Sequence, residues 1–581
     1  MPGTPWRARL AVLGATTAIL IAACGGAATP TPSASSEPSA PPSEAPSAAP
    51  FEALVYPETG EAPCGVDPYT GNFKKITAVD AKTVVFELCN PDVAFLSKIA
   101  FSSFAINDTA WLEANIDPAK DTNQAIVSNV NGTGPYKLKE WKRGSEIVLE
   151  AFDGFWGTKA IAPSAVFRWS AEASQRLTEL QAGTVDGIDN VGPTDFATVE
   201  ADPNLALKPR EGLNIFYVGF NNTFAPFDNE AVRQAIAQGI DRQRIIDNFY
   251  PAGSEVASHF TPCSIPNGCA GDPWYEFDAA AAKAALAAAG FPDGFKTTIT
   301  YRDVVRGYLP DPNVVAQDLQ AQLKAIGVEA EIVVQESGTF LDNADAGNIE
   351  GIHLLGWGAD YPDVTNFLDF HFGAGASKQF GDKFDDITSA LQEGAGGLND
   401  EARKPAYERA NNAIKQHVPM IPIAHGGSGV AYRADVEGGF ASPLGNEILA
   451  VMKPGDRDQI VFMQNAEPPG LYCADESDGE ALRVCEQMLE ALYSYEIGGT
   501  AAEPALATEC KPNTELTTWT CTLRDGVAFH NGATLDANDV VLSYAVQWDA
   551  EHPLHKGRDG SFTYFPGLFG GLLNPPPPPA E

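Results

Sequence analysis

The sequence lacks the positive charge of a nucleic-acid binder: 38 Lys and Arg stand against 76 Asp and Glu, a formal net charge of −38. That excess repels nucleic acid and anionic lipid and favours a soluble monomer, although acidity alone names no ligand. A confident membrane span is missing too, because the apolar run from Leu10 to Ile21 is too short and soon gives way to a Pro-rich polar tract. No Cys-x-x-Cys pair exists, and His530 is the only histidine close to the last cysteines, which argues against zinc. His353 and His371 show no metal-ligand spacing, and no metal or cofactor is expected. Catalytic signatures are also absent: no GxSxG, HExxH or Walker sequence occurs, and Gly426 to Val430 misses the nucleophile elbow by its last glycine. Acidic residues are abundant enough to supply a glycosidase pair by chance, so carboxylates alone do not argue for a secreted hydrolase, and no enzyme is expected.

What is present is a chain of 581 residues, 44% hydrophobic and 20% charged, which can bury a large core and divide into two or three lobes. Arg7 and Arg9, the following apolar run and Ile21-Ala22-Ala23-Cys24-Gly25 read as a signal peptide whose end resembles the bacterial lipobox, with Cys24 the lipidated residue. An ordinary signal peptide with a chance cysteine is the alternative; both place the protein outside the cytoplasm. The eight other cysteines fall into sequence-near pairs, Cys64/Cys89, Cys263/Cys269, Cys473/Cys485 and Cys510/Cys521, as disulfide staples in an oxidising space would. Sequence alone does not fix that connectivity.

From Ala27 to Pro50 no large apolar residue occurs, which predicts a disordered tether, and Pro575 to Pro579 form a matching stop. Between these tails strand-like and helix-like stretches alternate, an α/β pattern. Thr297–Tyr301, Val314–Ile326 and Val328–Val334 predict a βαβ unit. Further helices are predicted at Asn229–Asn248, Ala279–Ala289 behind Asp278, and Asp400–His417, with a strand at Ile352–Gly356. Arg524–Phe529 reads as a strand, and Gly132, Gly134 and Pro135 as turn residues.

An ordered series of short stretches carries more. It includes Asn131 to Tyr136, Trp141 to Gly144, Phe155 to Gly157, Leu180 to Asp186, Gly219 to Asn221, Phe227 to Arg242, Gly356 to Pro362 and Pro443 to Glu447. From about Phe73 to Glu447 the chain resembles the family 5 extracellular solute-binding proteins, the dipeptide and oligopeptide receptors of bacterial ABC importers. The family's N-terminal portion is missing ahead of residue 73. Residues from about Gln459 to Asn574 resemble it instead, most specifically Leu523 to Thr534, with Ala537 to Val540 and Ser543-Tyr544. A circular permutation is therefore expected, its old ends joined by a bridge such as Met452 to Arg457; an accidental fusion of two fragments is the alternative.

The resemblance implies a two-lobed periplasmic-binding-protein fold of type 2, cluster C, with an extra subdomain in lobe I. Expected segments are a lipoprotein signal peptide 1–24, a tether 25–50, lobe I 51–255, lobe II 256–440, lobe I again 441–574 and a Pro-rich tail 575–581. It implies delivery of a peptide or other small solute to the permease of an ABC importer, membrane attachment through a lipid, and no nucleic acid. Nickel complexes, haem, oligosaccharides and opines are also bound by relatives of this fold, and a sensor without transport would look identical.

Asp360 matches the position where peptide-binding relatives receive the ligand's α-ammonium; the competing role is a cap in the turn Asp360 to Asp363. Trp357 and Ala359 share its motif, Trp357 as a pocket wall or as ordinary core. Arg306 resembles the arginine that holds a ligand carboxylate, with Arg302 as a competitor and a solvated loop as the bland role. Tyr308 lines the slot or sits as a surface aromatic.

Overall fold

The structure, a computed structural model, describes residues 51–576. The expected signal peptide, Cys24, the tether to Pro50 and residues 577–581 lie outside the described residues.

Strands between Asn214 and His425 build a six-stranded sheet, in the order Glu255–Val256, Met420–His425, Asn214–Phe220, Ile352–Gly358, Phe295–Arg302 and Val328–Gln335. The predicted βαβ unit forms its edge: Phe295–Arg302 runs parallel to Val328–Gln335, and the helix Pro312–Ala325 connects them. That helix starts at Pro312, which has no N–H and so needs no acceptor there, and the Asp311 side chain accepts from Val314 N. Asp400–His417 is a helix as predicted, and Asp278 caps Ala279–Ala288. The predicted helix Asn229–Asn248 is instead two, Glu230–Gly239 and Arg242–Phe249, because Asp241 caps a second start by accepting from Arg244 N.

The second lobe is assembled from chain segments far apart in sequence. Its seven-stranded sheet runs Tyr136–Lys142, Glu146–Ala151, Ser164–Trp169, Gln459–Gln464, Gly187–Ile188, Ser428–Arg433 and Leu205–Arg210. Gln459–Gln464, from the C-terminal block, is interior and parallel to both neighbours. A five-stranded sheet joins Val55–Tyr56, Phe73–Asp80 and Thr83–Leu88 to Thr518–Leu523 and Ala507–Pro512. The helix Ala537–Trp548 packs against it with every side chain but Asn538 buried. Phe73 meets Tyr544, Phe565 and Phe569 at centroid distances of 5.9, 5.3 and 4.6 Å, so the two ends of the described chain share one aromatic core. The stretch Lys453–Pro454 pairs with Val436–Glu437, and Arg457 bonds Asp186 and Asp435 at 2.8 and 2.7 Å.

Lobe boundaries differ from the expected ones. Asn214–Phe220 lies inside the six-stranded sheet and not in lobe I, because its nearly all-apolar sequence is buried on both faces between two antiparallel neighbours. Ser428–Arg433 belongs to the seven-stranded sheet. Two short links therefore join the lobes, Glu211–Leu213 and Gly426-Gly427. A Cβ at Gly212 would lie 2.7 Å from Gly426 O, and one at Gly426 would lie 2.2 Å from Gly307 O, so the links approach too closely for any other residue. Asn214 ties them together, donating to Gly426 O at 2.7 Å and accepting from Gly426 N at 2.8 Å.

The expected strand Arg524–Phe529 is absent. Thr518–Leu523 ends before it and Gly526, at φ 72°, turns the chain, leaving Val527 and Phe529 buried as isolated anchors. Gly132 and Gly134 serve close packing: a Cβ at Gly132 would lie 2.1 Å from Met488 O. All four cysteine pairs are bonded as expected, Cys64–Cys89, Cys263–Cys269, Cys473–Cys485 and Cys510–Cys521.

Candidate functional site

The strand Ile352–Gly358 ends beside the first link, and Ala359 N donates to Leu213 O at 2.8 Å, which fixes the next residue, Asp360, at the junction of the lobes. Asp360 is buried. Its backbone N–H donates to Asn366 Oδ1 at 3.0 Å, and Asn366 Nδ2 donates to its Oδ2 at 2.9 Å. Burial pushes its carboxyl up to about 7; hydrogen bonds from Asn366 and Tyr564 pull the other way without bringing it back to the ordinary range. No cation forms an ion pair with it among the described residues.

The capping role proposed for the Asp360 turn falls to Asp363. Asp363 accepts from Thr365 N at 2.9 Å to start the helix Val364–Phe372, and Arg403 grips both its oxygens at 2.7 and 2.8 Å. Two acids three residues apart thus have opposite fates: the Arg403 guanidinium holds the Asp363 carboxyl below its usual value in spite of burial, while Asp360 has no such partner.

Trp357 is half-buried, stacked on Phe370 at 4.2 Å, and its Nε1 donates to the same Asn366 Oδ1 at 3.3 Å. Ala359 is half-buried. Tyr308 is not a bare surface aromatic: its ring packs so tightly on Gly356 that a Cβ there would lie 2.3 Å from it, and its carbonyl accepts from Tyr250 OH at 2.6 Å. Tyr308 therefore flanks the strand that leads to Asp360. Arg302, the competitor, is committed to Ser337 Oγ at 3.1 Å and Tyr308 OH at 3.3 Å. Arg306 is half-buried, and among the described residues its guanidinium bonds only the neighbouring Val305 carbonyl, at 3.1 Å.

Three residues of the other lobe complete the setting, and sequence reasoning missed them. The Tyr495 hydroxyl donates to Ser97 O at 2.7 Å and approaches Asp360 O at 3.3 Å. Tyr564 reaches the Asp360 carboxylate from the helix Tyr564–Phe569. Glu480, in the helix Gly479–Cys485, feels the charge of Arg306. All three lie in the C-terminal block, more than a hundred residues from Asp360, so no local spacing could have linked them to it. A cavity of about 260 Å³ opens alongside, lined by Ser97, Leu213, Pro362 and Ala502 among others.

His353 and His371 are buried and hydrogen-bonded, to Gln379 Oε1 at 3.1 Å and Phe367 O at 2.7 Å, and burial lowers both to about 4. His259 lies close to the sulfurs of Cys263 and Cys269, but those are bonded to each other.

Two lobes thus meet at a junction that holds a buried acid with groups of both lobes around it. The fold and sequence are similar to those of several known proteins. The chain is 29% identical over 378 residues to the dipeptide-binding protein of Escherichia coli, covering 64% of this chain and 70% of that one. It is 28% identical over 398 residues to heme-binding protein A of Haemophilus influenzae, covering 68% and 70%. Among solved structures it is similar to the periplasmic binding protein DppA of Helicobacter pylori in complex with the peptide STSA (27% identity, TM-score 0.57, 63% and 71% covered). It is likewise similar to a dipeptide binding protein of Pseudoalteromonas sp. in complex with Met-Leu (26%, TM-score 0.57, 67% and 76%). The family profile described as "Bacterial extracellular solute-binding proteins, family 5 Middle" matches residues 33–379 and 501–561, and the chain belongs to that family of bacterial extracellular solute-binding proteins.

Proposed function

We propose that this protein is the extracytoplasmic receptor of an ABC importer and that it clamps a short peptide between its lobes. Asp360 receives the ligand's α-ammonium and Arg306 its α-carboxylate, while Trp357, Tyr308 and Ala359 wall the slot. One observation carries this reading: Asp360 is a buried carboxyl pushed up to about 7 with no ion-pair partner, a state that a ligand ammonium relieves. Closing the lobes excludes water, so the new ion pair gains strength in a low-dielectric slot. Relatives named for dipeptides and a neighbour holding a peptide support the ligand class. Cys24 carries the lipid anchor in this reading, and the four disulfides fit an oxidising compartment.

The segment order reads as a circular permutation. Supporting it, strands from the C-terminal block are interior members of sheets begun near the N-terminus, and the Met452–Arg457 bridge is held by strand pairing and ion pairs.

Calorimetry of the chain without residues 1–24 against dipeptides and tripeptides tests the function. Micromolar or tighter binding is expected, weakened by roughly 30-fold or more in Asp360→Ala. Silence across the library, or undiminished binding in Asp360→Ala, refutes the assignment.

A further inference from the structure

A second cavity touches the lobe junction, and the clamp as described leaves it unused. It is small, about 10 Å³, which is room for one water-sized group. Tyr495 forms part of its wall, and the hydroxyl of that residue lies 3.3 Å from Asp360 O. One side chain therefore separates this cavity from the segment that carries Asp360. Leu444, also in the wall, packs against the core of the six-stranded lobe.

The wall contains an acid, Glu486, whose Oε2 is buried and has no hydrogen-bond partner among the described residues. Buried acceptors are normally satisfied, so this oxygen is short of a donor. The donors around it are spent elsewhere. Arg483 bonds Gly445 O, Glu447 and Asp189 at 3.0, 3.0 and 2.7 Å. Gln487 Nε2 bonds the carbonyls of Glu447 and Arg483 at 2.9 and 3.0 Å, and the Tyr495 hydroxyl donates to Ser97 O at 2.7 Å. Nor does the local fold account for the acid: Glu486 is the C-terminal cap of the helix Gly479–Cys485, at the negative end of the helix dipole, where a carboxylate gains nothing. A second acid, Glu496, lines the same cavity, and no Lys or Arg does. Burial, above all, pushes the Glu486 carboxyl up to about 8, and the charge of Glu447 adds to the rise; Asn446 and Arg483 pull the other way without bringing it back to the ordinary range.

Size and chemistry narrow the occupant. An ammonium has donors and no acceptor and is about as large as a water molecule, whereas a guanidinium is a wider planar fork. Phe440, Leu444 and Ile497 give the cavity apolar walls, which suit the methylene stem behind such a charged tip. A ligand whose α-ammonium lies on Asp360 has its first side chain nearest to this cavity.

We propose that Glu486 is a specificity residue whose cavity receives the side-chain ammonium of the ligand's first residue, so the preferred ligands are short peptides that begin with lysine. This rests on the assignment of Asp360 to the ligand's α-ammonium.

Calorimetry with Lys-Ala, norleucine-Ala, Arg-Ala and Ala-Lys tests it on the protein without residues 1–24. Norleucine keeps the aliphatic stem of lysine and removes the charge. Wild type is expected to bind Lys-Ala roughly tenfold or more tighter than norleucine-Ala, and tighter than Arg-Ala or Ala-Lys. Glu486→Gln is expected to bring the ratio of Lys-Ala to norleucine-Ala close to one without weakening norleucine-Ala. Equal affinities for Lys-Ala and norleucine-Ala in wild type, Arg-Ala or Ala-Lys bound as tightly as Lys-Ala, or a ratio that survives Glu486→Gln each overturn the proposal; the wild-type comparisons need no variant to fold. If norleucine-Ala binds as well as Lys-Ala and Asp360→Ala abolishes both, the peptide clamp stands and only the role of Glu486 falls. If none of the four binds, the peptide reading fails and this proposal with it.

Discussion

Two groups of buried charges on either side of the lobe links behave in opposite ways. Behind the links, Arg210 bonds Asp189 at 2.8 Å and Glu447 at 2.6 Å, and Arg483 bonds the same two acids at 2.7 and 3.0 Å, a closed ring with every member less than a tenth exposed. At the junction, Asp360 is buried too, yet it has no ion-pair partner among the described residues. Removing an ion from water is costly unless geometry and hydrogen bonds return the loss. The ring achieves that within the chain, joining segments almost 300 residues apart (483 − 189 = 294). At the junction no described residue does so, and on the proposed function the ligand's ammonium supplies the missing charge.

The comparison breaks most visibly if the ring is dispensable. Asp189→Asn strips Arg210 and Arg483 of a shared counter-charge, and urea unfolding is expected to show a loss of about 3–5 kcal/mol. A loss below about 1 kcal/mol would mean that the ring's geometry is not what holds these segments.

Asp360→Asn should do the reverse. In the unliganded protein it removes an unpaired buried acid and is expected to stabilise at pH 8, on the order of 1–4 kcal/mol. The pH dependence gives the sign. The folded-state carboxyl titrates near 7, above its unfolded value of about 4, so the folded chain holds a proton that the unfolded chain has released. The wild-type penalty is therefore absent below about pH 4, grows as pH rises, and is complete above about pH 7. The difference between variant and wild type should follow that curve. Asp189 should behave oppositely: Arg483 and Arg210 hold it below the ordinary range in spite of burial, so its contribution is present at neutral pH and is lost only as pH falls through that lowered value. Chemical unfolding from about pH 2 to pH 8 checks both; a stability difference for Asp360→Asn that is flat with pH would remove the contrast.

A finer test concerns the support around Asp360. Trp357→Phe keeps the ring that stacks on Phe370 and deletes the bond to Asn366 Oδ1. About 0.5–1.5 kcal/mol of stability should be lost, read from the urea midpoint.

Local patterns told the truth where partners are close in sequence. The βαβ unit of Phe295–Gln335 and the helix Asp400–His417 were legible because periodicity and capping residues lie within each segment. The break at Asp241 was missed because the apolar spacing continues through it and only the cap shows the restart. Arg524–Phe529 alternates like a strand, but the turn at Gly526 decides the backbone. Asp360 and Arg306 stood out through resemblance; Tyr564, Tyr495 and Glu480 did not, because their nearness depends on how the C-terminal block folds back. Lobe boundaries were misplaced for a related reason: the chain crosses between sheets at Glu211–Leu213 and Gly426-Gly427, links too short to announce themselves.

The pairing of Thr83–Leu88 with Thr518–Leu523 has a bearing on the order of events during synthesis. The six-stranded sheet has all its strands once the ribosome has passed His425, whereas the first strands made must wait for partners translated more than four hundred codons later. Long-range pairing of this kind is slow. The strand Thr83–Leu88 thus stays without this partner until Leu523 has been translated, and until then its open edge is free to pair wrongly.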